Sequence, residues 1–349
     1  MQRFLSLAGV ILLLLLAVAC GGGTTGGNAP ETGQPSATGQ PEPTPGGQAA
    51  GAKPLKLGII QLAEHPSLDQ ARQGFLDVLA ERGYKDGSNL TVEYENAQGD
   101  ASLAATIAKK LVADKVDLAL AIATGSAQAM AEQTKDIPIL ITAVTDPVGA
   151  GLAQSLEKPG GNVTGTTDMN PVKEQLALIK EMLPQAKKAG IIYNSGEANS
   201  VVQVKIAKQA AGELGLELAE ATAANTGEVL QAASSLVGKV DALYVPTDNT
   251  VVSALDSVIK VAEDNDLPLI VGEGDSVKKG GLATVGLDYY KLGKQTGEMA
   301  LRIWEDNEKP ADMPIETQKE YETIVNLKAA ENMGVRLPQS LLDRATKVE

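Results

Sequence analysis

One cysteine and one histidine in 349 residues exclude a disulfide within the chain, a Cys/His zinc site and a Cys-x-x-Cys redox pair. Positive charge is also short: Lys+Arg 30 against Asp+Glu 44 leaves a net charge of -14, and no basic patch offsets it, so phosphate backbones are repelled. No Gly-x-Ser-x-Gly elbow, no Gly-x-x-x-x-Gly-Lys-Ser/Thr loop and no Gly-x-Gly-x-x-Gly after a strand is present, which removes the usual footing for an enzyme, and no metal or cofactor is implied. Carboxylates such as Glu64 and Glu273 can act in pairs, but lining a binding cleft is the simpler role for them. At 43% hydrophobic and 21% charged the chain is not disordered as a whole, and its length calls for one or two α/β-sized lobes.

The longest apolar run is Phe4 to Ala19, broken only by Ser6 and Gly9, behind Met1-Gln2-Arg3. It is shorter than the ~20 residues that span a bilayer and reads as a signal peptide over 1–19. Ala17-Val18-Ala19-Cys20 resembles the bacterial lipobox, departing from it at Ala17 where Leu is usual, which makes Cys20 the expected lipidation site and anchors the protein to the membrane outside the cytoplasm. Residues 20–53, rich in Gly, Pro, Thr, Ala and Gln, have too little apolar bulk to fold and read as a tether reaching roughly 30 Å.

From Pro54 onward, short β-like runs alternate with amphipathic helical segments, the pattern of a parallel sheet covered on both faces. The order recurs after residue 189. Gly190-Ile191-Ile192-Tyr193 echoes Gly58-Ile59-Ile60-Gln61, Val240-Asp241-Ala242-Leu243 echoes Val116-Asp117-Leu118-Ala119, and Leu267-Pro268-Leu269-Ile270 echoes Ile137-Pro138-Ile139-Leu140. The expected fold class is therefore α/β: two similar three-layer lobes with parallel sheets and a cleft between them, similar to type I periplasmic binding proteins.

In open parallel sheets ligands bind beyond the carboxyl ends of the strands, so the turns there hold the candidates. The first lobe offers Gln61 and Glu64, then Thr124-Gly125-Ser126, then Thr145-Asp146; the second offers Tyr193-Asn194, Asp248-Asn249 and Glu273. Thr124-Gly125-Ser126 opens a helix, whose free N–H groups and partial positive charge suit a carboxylate. Asp248, in the matching turn of the other lobe, is expected to face that seat and pair with an ammonium group. A carboxylate on one wall and an ammonium on the other describe an amino acid. Ser126, Ser200 and Thr250 as plain N-caps, and Asp248 as a turn residue, remain the structural alternative. Tyr193 is either a stacking surface or core, and the lone His65 reads as a turn or cap residue.

The segments Gln61 to Asp69, Ala123 to Ala127, Thr145 to Ala150, Lys158 to Gly165, Asn194 to Ser200 and Pro246 to Thr250 together resemble the ABC transporter substrate-binding lipoprotein family of the tryptophan/tyrosine/phenylalanine-binding type. The resemblance runs from Pro54 to the end. It implies capture of an aromatic amino acid by a monomer, closure of two lobes and delivery to an ABC permease. It places crossovers near Pro147 to Gly151, near Gly272 to Asp275 and after Trp304, so that the first lobe is 54–147 plus 274–308 and the second 148–273 plus 309–349. A binding protein for another small metabolite (an aliphatic amino acid, a purine) or a ligand-sensing partner of a membrane receptor would share this architecture.

Overall fold

The computed structural model describes residues 54–349. The expected signal peptide at 1–19 and the lipidated Cys20 with its tether to 53 lie outside the described residues. The chain opens with β1 (Leu55–Gln61), α1 (Pro66–Glu81), β2 (Leu90–Asn96), α2 (Ala101–Ala113), β3 (Leu118–Ile122), α3 (Thr124–Gln133), β4 (Ile139–Val144) and β5 (Val163–Thr167). A second series follows: α4 (Val172–Met182), β6 (Lys188–Tyr193), α5 (Ala198–Glu213), β7 (Glu217–Thr222), α6 (Val229–Ser234), β8 (Ala242–Val245), α7 (Asn249–Ser253), α8 (Leu255–Asp264), β9 (Leu269–Val271), α9 (Gly274–Lys279) and β10 (Ala283–Gly286). Then come α10 (Tyr289–Glu305) and β11 (Glu316–Thr317), and finally β12 (Glu322–Asn326), α11 (Leu327–Asn332), α12 (Gln339–Arg344) and β13 (Thr346–Val348).

Two sheets result, ordered β11-β5-β4-β3-β1-β2 and β13-β12-β10-β9-β8-β6-β7. The stretches β2-β1-β3-β4-β5 and β7-β6-β8-β9-β10 repeat one order, so the near-repeat in sequence is a duplicated lobe. Pairing is parallel except between β10 and β12. Leu118 to Ile122 and Ile139 to Val144 are buried throughout, as central strands between two helix layers must be. Each lobe has its own apolar core, one around Leu57, Phe75, Leu120 and Met299 and the other around Ile191, Tyr244, Leu255 and Ile270.

All three expected crossovers are corrected. β5 pairs with β4, Ile139 opposite Val163, so the first lobe continues to Thr167 rather than ending at 147. β10 pairs with β9 and β12, which keeps the second lobe to Gly286 rather than 273. β11 pairs with β5, Glu316 opposite Thr166, which keeps the chain in the first lobe past 308. The crossings therefore fall at residues 168–171, 287–288 and 318–321.

The physical reason is in β5, Val163-Thr164-Gly165-Thr166-Thr167, whose polar letters hide a fully buried strand. Its hydroxyls are satisfied inside the lobe: Thr164 Oγ1 donates to Met313 O at 2.8 Å, Thr166 Oγ1 lies 2.8 Å from Thr296 Oγ1, and Thr167 Oγ1 donates to Thr145 O at 2.9 Å. Gly165, at φ 136°, lies so close to β4 that a Cβ would sit 2.1 Å from Ile141 O.

Candidate ligand-binding site

In both sheets the strand order reverses between the first and third strands of the repeat, and the crevice at that switch point opens toward the other lobe. On the first lobe the residues around it are the turn after β1 and the turn after β3. Gln61 is fully buried and fully used: its Nε2 donates to Ala63 O at 2.8 Å and Asp69 Oδ1 at 3.0 Å, while its Oε1 accepts from Arg72. It shapes the β1–α1 turn instead of reaching a ligand. The Glu64 side chain points to solvent; only its carbonyl touches the other lobe, accepting from Ser253 Oγ at 3.4 Å.

The turn after β3 is different. Ala123 takes φ 75° and Ala143, at the end of the neighbouring strand, φ 55°, a conformation that costs alanine energy and that clusters where backbone must be aimed. It turns the chain into α3 with Thr124 and Ser126 buried, and neither hydroxyl has a hydrogen-bond partner. Gly125 lacks a side chain because Leu62 packs over it; a Cβ would meet Leu62 at 3.1 Å. Thr145 donates to Asp168 Oδ1 at 3.0 Å, and half-buried Asp146 accepts from Gly149 N at 2.8 Å within its own turn. Asp146 lines an open cleft of about 420 Å³ together with Gly149 and Ala150 of the first lobe and Ser195, Asn199 and Val202 of the second.

In the second lobe Asp248 and Tyr193 are both bonded within their own lobe. Asp248 is buried, but Oδ2 accepts from Asn194 N at 2.5 Å and Ser200 Oγ at 2.6 Å, and Oδ1 caps α7 by accepting from Val251 N at 2.8 Å. Both oxygens are thus engaged within its own lobe, by Asn194, Ser200 and Val251, before any ligand arrives. Burial, then the nearby charge of Glu197, pushes its pKa up to about 7. Tyr193 belongs to the second core and its hydroxyl donates to Glu220 Oε2 at 2.9 Å, so it is core, not a stacking surface. Asn194 holds the same turn, donating from Nδ2 to Thr250 Oγ1 at 2.9 Å and accepting from Gly196 N at 2.8 Å.

Asn249 and Glu273 do reach across. His65 Nε2 lies 3.3 Å from Asn249 Oδ1, its Nδ1 lies 4.0 Å from Glu273 Oε2, and Ser67 Oγ donates to that same Glu273 oxygen. Glu273 is 2% exposed; burial first, and the charges of Asp168 and Asp275 after it, push its pKa up to about 8. Asp168 is likewise buried and its pKa raised by burial, against the hydrogen bonds from Tyr289 (2.6 Å) and Thr145. His65 is held neutral by burial, which outweighs its bond to Asn249 and the surrounding carboxylates.

Sequence reasoning missed His65, Ser67, Asp168 and Thr247 in this region; Thr247, like Thr124 and Ser126, carries a buried hydroxyl without a partner. Asp168 sat in what was expected to be second-lobe sequence, and His65 occupies the cap position of α1 without capping it. The one available signal was position: both follow strands of the repeat.

The family model described as ABC transporter substrate binding protein matches residues 56–349. A tyrosine-binding protein of Clostridioides difficile (strain R20291) is 50% identical over 274 residues, covering 78% of this chain and 79% of its own. An ABC domain in complex with L-Trp from Streptococcus pneumonia superposes with a TM-score of 0.82 at 39% identity, over 85% of this chain and 100% of its own. The ligand-free, open structure of a substrate binding protein with adhesive properties from Clostridium difficile is more similar in sequence, 46% over 84% of this chain and 99% of its own, yet its TM-score is 0.64. A lower score at higher identity is what rotation of one lobe against the other produces. In this chain the lobes touch through His65 and Ser67 of the first and Asn249 and Glu273 of the second.

Proposed function

The chain belongs to the family of ABC transporter substrate-binding proteins, a binding family and not an enzymatic one, and from that premise we propose that it captures an aromatic amino acid between its lobes for delivery to an ABC permease. The tyrosine-binding relative and the L-Trp-bound neighbour support the ligand class. The observation that carries it in this chain is the pair of buried, unpartnered hydroxyls of Thr124 and Ser126 at the first turn of the ten-residue α3. A buried hydroxyl without a partner costs free energy, and a ligand carboxylate arriving at the helix N-terminus meets both that need and the helix dipole. Closure then follows, because contacts to both lobes exist only in the closed state.

A thermal-shift and calorimetric screen against the twenty amino acids and nucleosides tests this, since a ligand that binds only the folded state raises its melting temperature. Selective stabilisation by L-Trp, L-Tyr or L-Phe is expected; stabilisation only by an aliphatic amino acid or a purine would replace the ligand. Ser126→Ala removes one hydrogen bond to a charged group and is expected to weaken binding about ten- to a hundredfold. It should leave the ligand-free melting temperature unchanged or raised, because the lost hydroxyl was unsatisfied. A Ser126→Ala protein that binds as tightly as wild type sinks the carboxylate seat.

The anchoring reading rests on the sequence around Cys20. Cys20→Ser is expected to move the protein from the membrane fraction to the soluble one, and retention in membranes would refute lipidation there. Among the described residues no helix is long and apolar enough to cross a membrane.

A further inference from the structure

The single histidine, His65, has two ring nitrogens in unlike surroundings. A chain of fixed hydrogen-bond polarity decides which one carries the proton. The Glu197 carboxylate can only accept, so Asn249 Nδ2 donates to it, at 2.7 Å. That turns Asn249 Oδ1, an acceptor, toward His65 Nε2 at 3.3 Å, and Nε2 must therefore be the N–H. With the ring neutral, Nδ1 is a bare lone pair, buried and without a partner.

Across from it stands a second acceptor. Glu273 Oε2 takes hydrogen bonds from Ser67 and, at 3.5 Å, from Ser276, and lies 4.0 Å from His65 Nδ1, too far for a hydrogen bond between them. His65 Nδ1 and Glu273 Oε2, from opposite lobes, thus stand opposite one another with no hydrogen bond between them. The titratable groups around Glu273 are His65 from the β1–α1 turn, Asp168 from the first crossover, Tyr289 of α10 and Asp275 of its own helix, and none is a lysine or arginine. Among the described residues, neither Glu273 nor Asp168 has a lysine or arginine ion-pair partner. A nitrogen about 2.8 Å from each acceptor would see them about 90° apart, near the tetrahedral spread of ammonium hydrogens.

We infer that the ligand's ammonium group comes between these two side chains, donating to His65 Nδ1 and to Glu273, and that Glu273 releases a proton to solvent as the ammonium enters. The inference rests on the amino-acid reading of the cleft and assigns the half of the ligand that Asp248 does not hold. Two buried carboxyls, Asp168 and Glu273, resist ionising together; one added cation lets one of them ionise at neutral pH. Burial and the charge of Asp168 push the Glu273 pKa up to about 8, so without the ammonium it holds its proton at neutral pH. Binding must then expel it, and affinity rises with pH up to that value, about tenfold per unit for one proton.

Calorimetric titration of the protein with L-Trp, L-Tyr and L-Phe at pH 6, 7 and 8, in phosphate and in Tris, reads proton release directly from the dependence on buffer ionisation heat. Release approaching one proton per ligand at pH 6 to 7, with affinity climbing toward pH 8, is expected; binding with no proton release and no pH dependence would overturn the seat. The deaminated 3-arylpropionates should bind at least about a hundredfold more weakly, as loss of a charged hydrogen-bond pair implies. Equal affinity for them would likewise overturn it. Glu273→Gln keeps the shape, and is expected to abolish proton release and flatten the pH profile; persistence of both would assign the proton elsewhere and refute Glu273. If the wild type binds none of the three amino acids at any pH, the ligand reading itself fails and the ammonium seat with it.

Discussion

Gly293→Val is expected to leave the protein without a folded first lobe. α1 and α10 cross with their main chains in contact: a Cβ at Gly293 would stand 1.9 Å from Ala71 O, and one at Gly74 would stand 2.1 Å from Tyr290 O. Gly297, one turn further along the same face, would be 2.9 Å from Phe75 O. The obstacles are backbone atoms of a packed helix, which cannot swing aside as a flexible side chain does.

Fitting valine separates the helices and withdraws Leu292, Met299 and Ala300 from the core they share with Phe75 and Leu79. Ordinary overpacking costs about 1–3 kcal/mol, and a clash with the main chain of Ala71 should exceed about 4 kcal/mol. Circular dichroism melting and limited proteolysis check it. The second lobe's core is built from other elements, so protease resistance should persist there and vanish from α1, β1 and α10. A soluble Gly293→Val protein melting with the wild type would show that the helices can part without loss.

Asp248→Ala is expected to act on stability and not on ligand affinity. It strands three donors, Asn194 N–H, Ser200 O–H and Val251 N–H, in a region that is buried or half-buried, and removes the cap of α7. At about 1 kcal/mol or more for each lost bond, the Val251 bond being the cap itself, the second lobe should lose roughly 3 kcal/mol, seen as a lower urea midpoint. Affinity measured well below that midpoint should stay within a few-fold of wild type. A large affinity loss at an unchanged midpoint would return Asp248 to the ligand.

The pH dependence has a definite sign. Because the folded pKa lies near 7 and that of an unfolded aspartate near 4, the folded state binds more protons in between, so this group's contribution to stability falls as pH rises from about 4 to 7. Asp248→Asn should remove that slope.

The lobes were legible because duplication repeats short-range signals. Val116-Asp117-Leu118-Ala119 and Val240-Asp241-Ala242-Leu243 each follow a helix and lead into a central strand, and the period of apolar residues needs no distant partner to be read. The crossovers were not legible, because β5 is written in threonine and glycine, and whether such a strand is buried depends on Met313, Thr296 and Thr145 taking its hydroxyl protons. Within the site, Thr124-Gly125-Ser126 could be recognised from its place before a helix, since a helix N-terminus is a local property. The hydrogen bonds that Asn194 and Ser200 donate to Asp248 were not legible, because they join turns 48 to 54 residues apart.

By itself, then, the sequence determined the two α/β lobes and the polar turns at the strand ends, which follow from periodicities a few residues long. Only the tertiary structure decided where the chain crosses between lobes and which buried groups meet. Ser67 and Glu273 are 206 residues apart and His65 and Asn249 184 apart, and they come together only when two separately folded cores close on one another. The partner of a buried polar group is set by that closure, and no local pattern encodes it.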